Sequence, residues 1–277
     1  MSPNRTLAPS NRLVPSPKRG GGVRWLSFLD PPTAARYAAV VSSVAPVIEA
    51  GLGEEVVANR ALTAAPGDVR LRPWRPARDA FLRSAHGMAF AAGAFVAADV
   101  HRCYPSIGPD LVGRTLRRFG CERTDVQDVT AMLEALEEAG VLGLPIGPDP
   151  SAVLANAALA GADEVLRAAG VRHLRWVDDI WIFAAGRREA VAALRSLMSW
   201  VERQGLSLAP EKTRMLERPE EIAAVITDGR VSLATRRYHR RSDAHALPGV
   251  PGPHAVAPAE GGVGPDRRTP CAAGRIG

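Results

Sequence analysis

Three aspartates set the chemistry this chain can be read to perform. Asp99 closes the apolar run Phe95-Val96-Ala97-Ala98, and Asp178 and Asp179 follow Trp176-Val177, with Leu144-Pro145-Ile146-Gly147 lying between the two sites in the chain. Three carboxylates delivered by two separate strand-like runs can hold two divalent cations, the arrangement that in-line phosphoryl transfer uses. In isolation Asp178-Asp179 is also a good turn pair. Yet two apolar strands running into a doubly charged, mutually repelling tip without glycine make a poor turn, and a cation would relieve that repulsion.

The elements that must position these residues can be read from periodicity. Residues 95–99 have the length and apolarity of a buried strand whose C-terminal end opens into a site, stopped by Pro105 and Gly108-Pro109. Leu174–Val177 and Ile180–Phe183 are β-prone runs that predict a tight hairpin with the aspartates at its tip. Thr124 and Gln127 predict a capping box ahead of Val126, Val129, Leu133 and Leu136, which share one helical face. Further helices are predicted over 33–50, broken or bent at Pro46, over 151–169, and over 188–204 with Val191, Leu194, Met198 and Val201 inward and Gly205 as the stop. Pro66-Gly67, Pro73 and Pro76 punctuate a basic loop-and-turn region. Strands and helices mix without βαβ alternation, which predicts an α+β sheet layered on helices.

Composition bounds the rest. The 277 residues are 46% apolar, enough for one domain of roughly 200 residues plus extensions. The formal charge of +6 is not spread evenly: residues 1–24 and 236–277 together carry +9, so 25–235 carries −3. Local clusters are therefore what could meet a nucleic acid or a triphosphate, namely Arg70, Arg72, Arg75 and Arg78, and Arg114, Arg117 and Arg118. The division expected is a basic, disordered segment over 1–24, a folded domain over 25–235 and a Pro/Gly/Arg-rich disordered tail over 236–277. Cys103, Cys121 and Cys271 have no CxxC spacing, so neither a disulfide framework nor a zinc ribbon is indicated. No apolar stretch reaches membrane-span length and no signal peptide is seen, which predicts a cytoplasmic protein without a membrane partner.

With these segments in order, the chain resembles the reverse transcriptases. Asp99-Val100-His101-Arg102-Cys103-Tyr104-Pro105-Ser106-Ile107 looks like motif A of the bacterial members, residues 143–156 are similar to motif B, and Arg175-Trp176-Val177-Asp178-Asp179 is similar to motif C. Gly205-Leu206-Ser207-Leu208-Ala209-Pro210-Glu211-Lys212-Thr213 matches motif D, with Ala209 where the family has Asn. Trp176 stands where Tyr or Phe is usual, and Ile146 where many members have Gln. The four motifs span about 115 residues and resemble most the group II intron-like, retron and abortive-infection or defence-associated branch.

The resemblance implies a polymerase palm, an RRM-like antiparallel sheet with helices, plus fingers. A thumb is the element not legible after Glu217, where a truncated or frame-shifted gene end, a linker and a natural disordered arm all remain open. It implies RNA-directed DNA synthesis by two-metal nucleotidyl transfer, with antiphage defence as one setting. A catalytically weak or truncated nucleic-acid-binding module of the same fold is the alternative, and a structural domain ranks last. Asp99, Asp178, Asp179 and the main-chain carbonyl of Val100 would hold two Mg²⁺ ions, hard cations suited to oxygen ligands, with Mn²⁺ a substitute. Tyr104 would be the gate beneath the sugar or a core aromatic. Leu144, Pro145 and Gly147 would line the incoming nucleotide, and Arg72 and Arg75 are candidates for phosphate contacts. Lys212 would neutralise or protonate pyrophosphate, or be a solvated surface lysine. Implied partners are an RNA template, a DNA or RNA primer and dNTPs; a separately encoded accessory protein or non-coding RNA remains open.

Overall fold

Residues 94–99 are all buried, and their alternation sorts them onto two different cores. A strand apolar on both faces must be covered on both, and this one is the pivot of a three-layer arrangement. The computed structural model describes residues 9–17, 22–62 and 66–235. In chain order it has strands β1 (Asn11–Pro17) and β2 (Val23–Leu29), helices α1 (Pro31–Gly51) and α2 (Trp74–Phe90), strand β3 (Ala94–Asp99), and helices α3 (Cys103–Ser106), α4 (Pro109–Phe119), α5 (Arg123–Glu138) and α6 (Asp149–Ala168). The hairpin β4 (Arg172–Trp176) and β5 (Asp179–Ala184) follows, then α7 (Arg187–Arg203), a 3-10 turn at Pro210–Lys212, β6 (Arg214–Leu216) and α8 (Pro219–Thr235).

The main sheet has the order β4-β5-β3-β6 and every pairing is antiparallel, an α+β fold. Val96 and Ala98 of β3 and Ile180 and Ile182 of β5 face the large core built with α1 and α4–α7. Phe95 and Ala97, with Leu174, Trp181 and Phe183, face α2 and α8 through Phe81, Leu82, Ile222 and Ile226. Phe95, Phe81 and Trp181 make edge and tilted ring contacts at 4.8 to 5.7 Å, favourable geometry for aromatic packing. Helix α6 is buried on nearly every side from Pro150 to Asp163, as an apolar, alanine-rich helix must be when it lies at the centre of a core.

Several expectations change. Asn11–Pro17 pairs with β2, so part of the segment expected to be disordered is a strand; its two prolines are tolerated because, among the described residues, β1 pairs with β2 alone. Helix α1 continues through Pro46 without breaking. Helix α2 starts at Trp74 and runs through Pro76, turning half of the expected basic loop into helix. The capping box does not form: Glu122 is the N-cap of α5, which places Thr124 inside the helix, although Val126, Val129, Leu133 and Leu136 are buried as expected. In α7 the buried stripe is Ala190, Ala193, Leu197, Trp200 and Val201; of the expected stripe Val201 is buried, Leu194 packs partly buried against the core and Met198 is exposed. The tail 236–277, with any thumb it holds, lies outside the described residues. No helix among those described is long and apolar enough to cross a membrane.

Candidate active site

Asp99 ends β3 and Asp179 begins β5, and the two are cross-strand partners, which places their side chains on the same face at the same end of the sheet. The hairpin register pairs Trp176 with Asp179, so the two-residue turn is Val177-Asp178 and not the aspartate pair itself. Val177 lies at φ +59°, the left-handed region a β-branched residue avoids. The carbonyl of Asp178 accepts the Val100 N–H at 3.0 Å, fastening the turn to the end of β3. Together Asp99, Asp178 and Asp179 offer carboxylate oxygens within 4.8 Å of one another.

Three such carboxylates repel, and a cation already stands among them. The Lys212 Nζ donates to Asp99 Oδ1 at 2.8 Å, with Asp99 buried and the lysine half exposed. Lys212 is placed by the segment after α7: His101 N–H donates to Ser207 O and Ala209 N–H to Asp99 O, both at 2.8 Å, extending the sheet edge past β3. The hard-oxygen donor set, its proximity and an ammonium seated against it all fit a divalent cation. Beside the cluster, burial raises the Cys103 thiol well above its ordinary value; Asp178 and Asp99 add to that rise and Arg175 opposes it.

The predicted nucleotide-lining segment meets motif A through main chain. Leu144 N–H donates to Tyr104 O at 2.9 Å, and Gly143, at φ +59°, lies so close to Tyr104 and Pro105 that a Cβ would stand 2.7 Å from both carbonyl oxygens. Leu144 and Pro145 turn inward and are buried, so of the three expected lining residues Gly147 is the exposed one. Tyr104 is half-buried against the core. Ile146 O accepts the Ser27 N–H at 2.8 Å, joining this loop to the β1–β2 hairpin. Val100 is buried and its N–H is committed to Asp178. Arg72 is held by Glu49 of α1 at 2.7 Å, and Arg75 lies over the Trp74 ring at 5.7 Å. These two are thus engaged on the α1 and α2 side.

Behind the turn lies a network that sequence reasoning missed. Arg175 of β4 is fully buried and pairs bidentately with Asp163 of α6, whose other neighbour is His173 at 3.3 Å. Asn156 of α6 donates to Ala58 O at 2.9 Å and Asn59 O at 3.2 Å, and Ser151 bonds the Tyr37 hydroxyl. Glu55, Asp163 and His173 cluster closely enough for a metal, but Arg175 already supplies Asp163 with its counter-charge and Arg167 supplies Glu55. Burial alone would raise Asp163; Arg175 and His173 outweigh it and hold the carboxyl below its ordinary value. The available signal was three polar residues, Ser151, Asn156 and Asp163, on a helix otherwise too apolar to face water.

The fold is similar to three solved telomerase structures: apo telomerase from Candida tropicalis truncated from its C-terminal domain (TM-score 0.51, 10% identity, 75% of this chain and 50% of that one), the apo telomerase from the same organism (0.52, 10%, 78% and 46%), and telomerase from Candida albicans with a TWJ fragment of telomeric RNA (0.51, 11%, 77% and 44%). This chain therefore spans half or less of the length of each. No curated protein sequence matches it. The sequence model described as "Reverse transcriptase (RNA-dependent DNA polymerase)" matches residues 82–228, from α2 through the carboxylate cluster into α8. Because that match spans more than half of the sequence, the chain belongs to the reverse transcriptase family.

Proposed function

We propose that this chain is the palm and fingers of an RNA-directed DNA polymerase that joins dNTPs to a primer 3′-hydroxyl. The observation that carries the reading is the convergence of Asp99, Asp178 and Asp179 at the end of β3 and the β4–β5 turn, inside a family-matched domain. Two Mg²⁺ ions held by these carboxylates would supply activation of the primer hydroxyl and charge neutralisation of the triphosphate. The chain's own residues do the rest. Lys212, seated at Asp99, holds a proton and a positive charge at the rim where pyrophosphate would leave. Tyr104 stands in α3, the short helix after β3, and its ring excludes a 2′-hydroxyl. Gly147 brings exposed main chain to the nucleotide, and Arg72 and Arg75, on the α1 and α2 side, offer phosphate contacts. Template and primer are RNA or DNA strands, and the bacterial, defence-associated setting rests on the motif forms alone.

The test is incorporation of labelled dNTPs by the purified chain with Mg²⁺, with and without an RNA template. Template-dependent incorporation that Asp178→Asn abolishes supports the reading. Template binding without incorporation, under Mg²⁺ or Mn²⁺, would instead make the chain a nucleic-acid-binding module of this fold.

A further inference from the structure

We propose that Arg175 is a positioning residue of the carboxylate site, its buried guanidinium setting the turn that presents Asp178 and Asp179. This rests on reading the acidic cluster as a cation site. The guanidinium has five N–H donors, and all five are used. Nε reaches both Asp163 oxygens at 3.0 Å; Nη2 donates to Asp163 Oδ2 at 2.8 Å and Asn156 O at 3.2 Å; Nη1 donates to Asn156 Oδ1 at 3.1 Å and Val177 O at 3.2 Å. The main chain of Arg175 is fixed as well, its N–H donating to Glu55 O and its carbonyl accepting from Val57 N–H. A side chain held this firmly is a rigid post, and one of its donors is aimed at the turn.

The consequence for Asp178 is geometric. The Val177 carbonyl belongs to the peptide plane on the N-terminal side of Asp178, and the Asp178 carbonyl to the plane on its C-terminal side. Arg175 pins the first and the Val100 N–H pins the second. With both flanking planes fixed, φ and ψ of Asp178 are fixed, and so is the direction of its Cα–Cβ bond. The first anchor also holds Val177 in a left-handed conformation that costs about 1–3 kcal/mol and persists only where the surroundings over-determine it. Asn59, another of the three non-glycine residues with positive φ among those described, is held by the same network through Asn156. Burying an ion pair does not by itself stabilise a core, since apolar replacements of such pairs are often neutral or better. Positioning accounts for the fork where stability does not.

Arg175→Lys is the variant of choice, because lysine keeps the charge facing Asp163 but has three donors on a point ammonium and cannot span both Asp163 and Val177. Two readouts are taken without nucleotide or nucleic acid: the Mn²⁺ dissociation constant by EPR titration, and hydrogen exchange of the Val100 amide, which reports the second anchor. The expectation is a folded protein whose Mn²⁺ binding is weakened about tenfold or more, the usual effect of removing a partner that orients a ligand, with faster Val100 exchange. Adding Val177→Gly, which adopts a positive φ without strain, should restore part of both losses. If Arg175→Lys does not fold, the pair Asp163→Asn with Arg175→Gln removes both charges together and is read the same way. Wild-type values of both readouts in a folded variant, or losses that Val177→Gly leaves unchanged, overturn the proposal. Asp178→Asn separates the two ideas: if it binds Mn²⁺ like the wild type, the cation reading fails, while Val100 exchange still decides the role of Arg175.

Discussion

Replacing Gly143 by alanine should destabilise the chain more than the same change at any glycine whose only demand is its backbone angle. Gly143 sits at φ +59°, where a residue with a Cβ costs about 1–2 kcal/mol. The added methyl would also stand 2.7 Å from the carbonyl oxygens of Tyr104 and Pro105. These are main-chain atoms, so neither can rotate away as a side chain could, and the two loops must separate. Separation stretches the Leu144 N–H to Tyr104 O bond, a further loss of about 1 kcal/mol. The total is about 3 kcal/mol. Gly120 is the control, with φ +81° and nothing within 4 Å of its would-be Cβ, so alanine there costs the angle alone. Urea unfolding of both variants measures the difference, read from midpoints with the slope unchanged. A Gly143→Ala midpoint no lower than that of Gly120→Ala would refute the claim that the loops after β3 and before α6 are in obligatory main-chain contact.

Under the proposed activity, Tyr104→Val should lower the preference for dNTPs over rNTPs by about tenfold or more, the scale set by removing one filled contact in a pocket; an unchanged ratio in an active variant removes Tyr104 from the sugar gate. Lys212→Met should tighten Mn²⁺ binding a few-fold, because a half-exposed ion pair competing for Asp99 is worth about 1 kcal/mol at most; weaker binding in titration would show the lysine is not a competitor. Asp163 has a folded-state pKa below its ordinary value of 3.8, so its contribution to stability is present above that value and lost as pH falls through the lower folded one. Asp163→Asn should therefore flatten the acid limb of the stability curve in thermal melts between pH 5 and about 2, and an acid limb identical to wild type would contradict the assignment.

What the sequence disclosed follows from which interactions are local. Strand β3 and helices α5 and α6 announce themselves because burial on both faces of a strand, on one face of a helix such as α5, or all round one such as α6, is written in consecutive residues. The α7 stripe was read from its larger apolar residues, Val191, Leu194 and Met198, whereas its buried face also holds Ala190 and Ala193, and at Trp200 it is α6 that supplies the small residue; a Cβ on Gly161 would meet the Trp200 ring at 2.7 Å. The turn at Val177-Asp178 was displaced by one residue because no propensity favours valine at a positive φ. The Asp163–Arg175–Asn156 network was illegible for a different reason, since its members are individually ordinary and meet only through the packing of α6 on β4. The three carboxylates were found because they bring no packing benefit that would explain them.

Among the described residues, Arg175 and Lys212 approach this site for opposite purposes. Arg175 lies behind the turn, without solvent exposure, and its charge is consumed by Asp163, so it gives the aspartates geometry and little neutralisation. Lys212 lies in front, half exposed, and neutralises Asp99 through a pair that solvent can reach and a stronger cation can displace. The cluster thus gathers three carboxylates at one end of the sheet, in a segment whose own formal charge is −3. A site of that kind repels phosphate until a divalent cation binds. On the proposed function, cation binding must therefore come before the triphosphate is held, and the arginines outside the cluster can guide a nucleic acid toward it but cannot replace the ion.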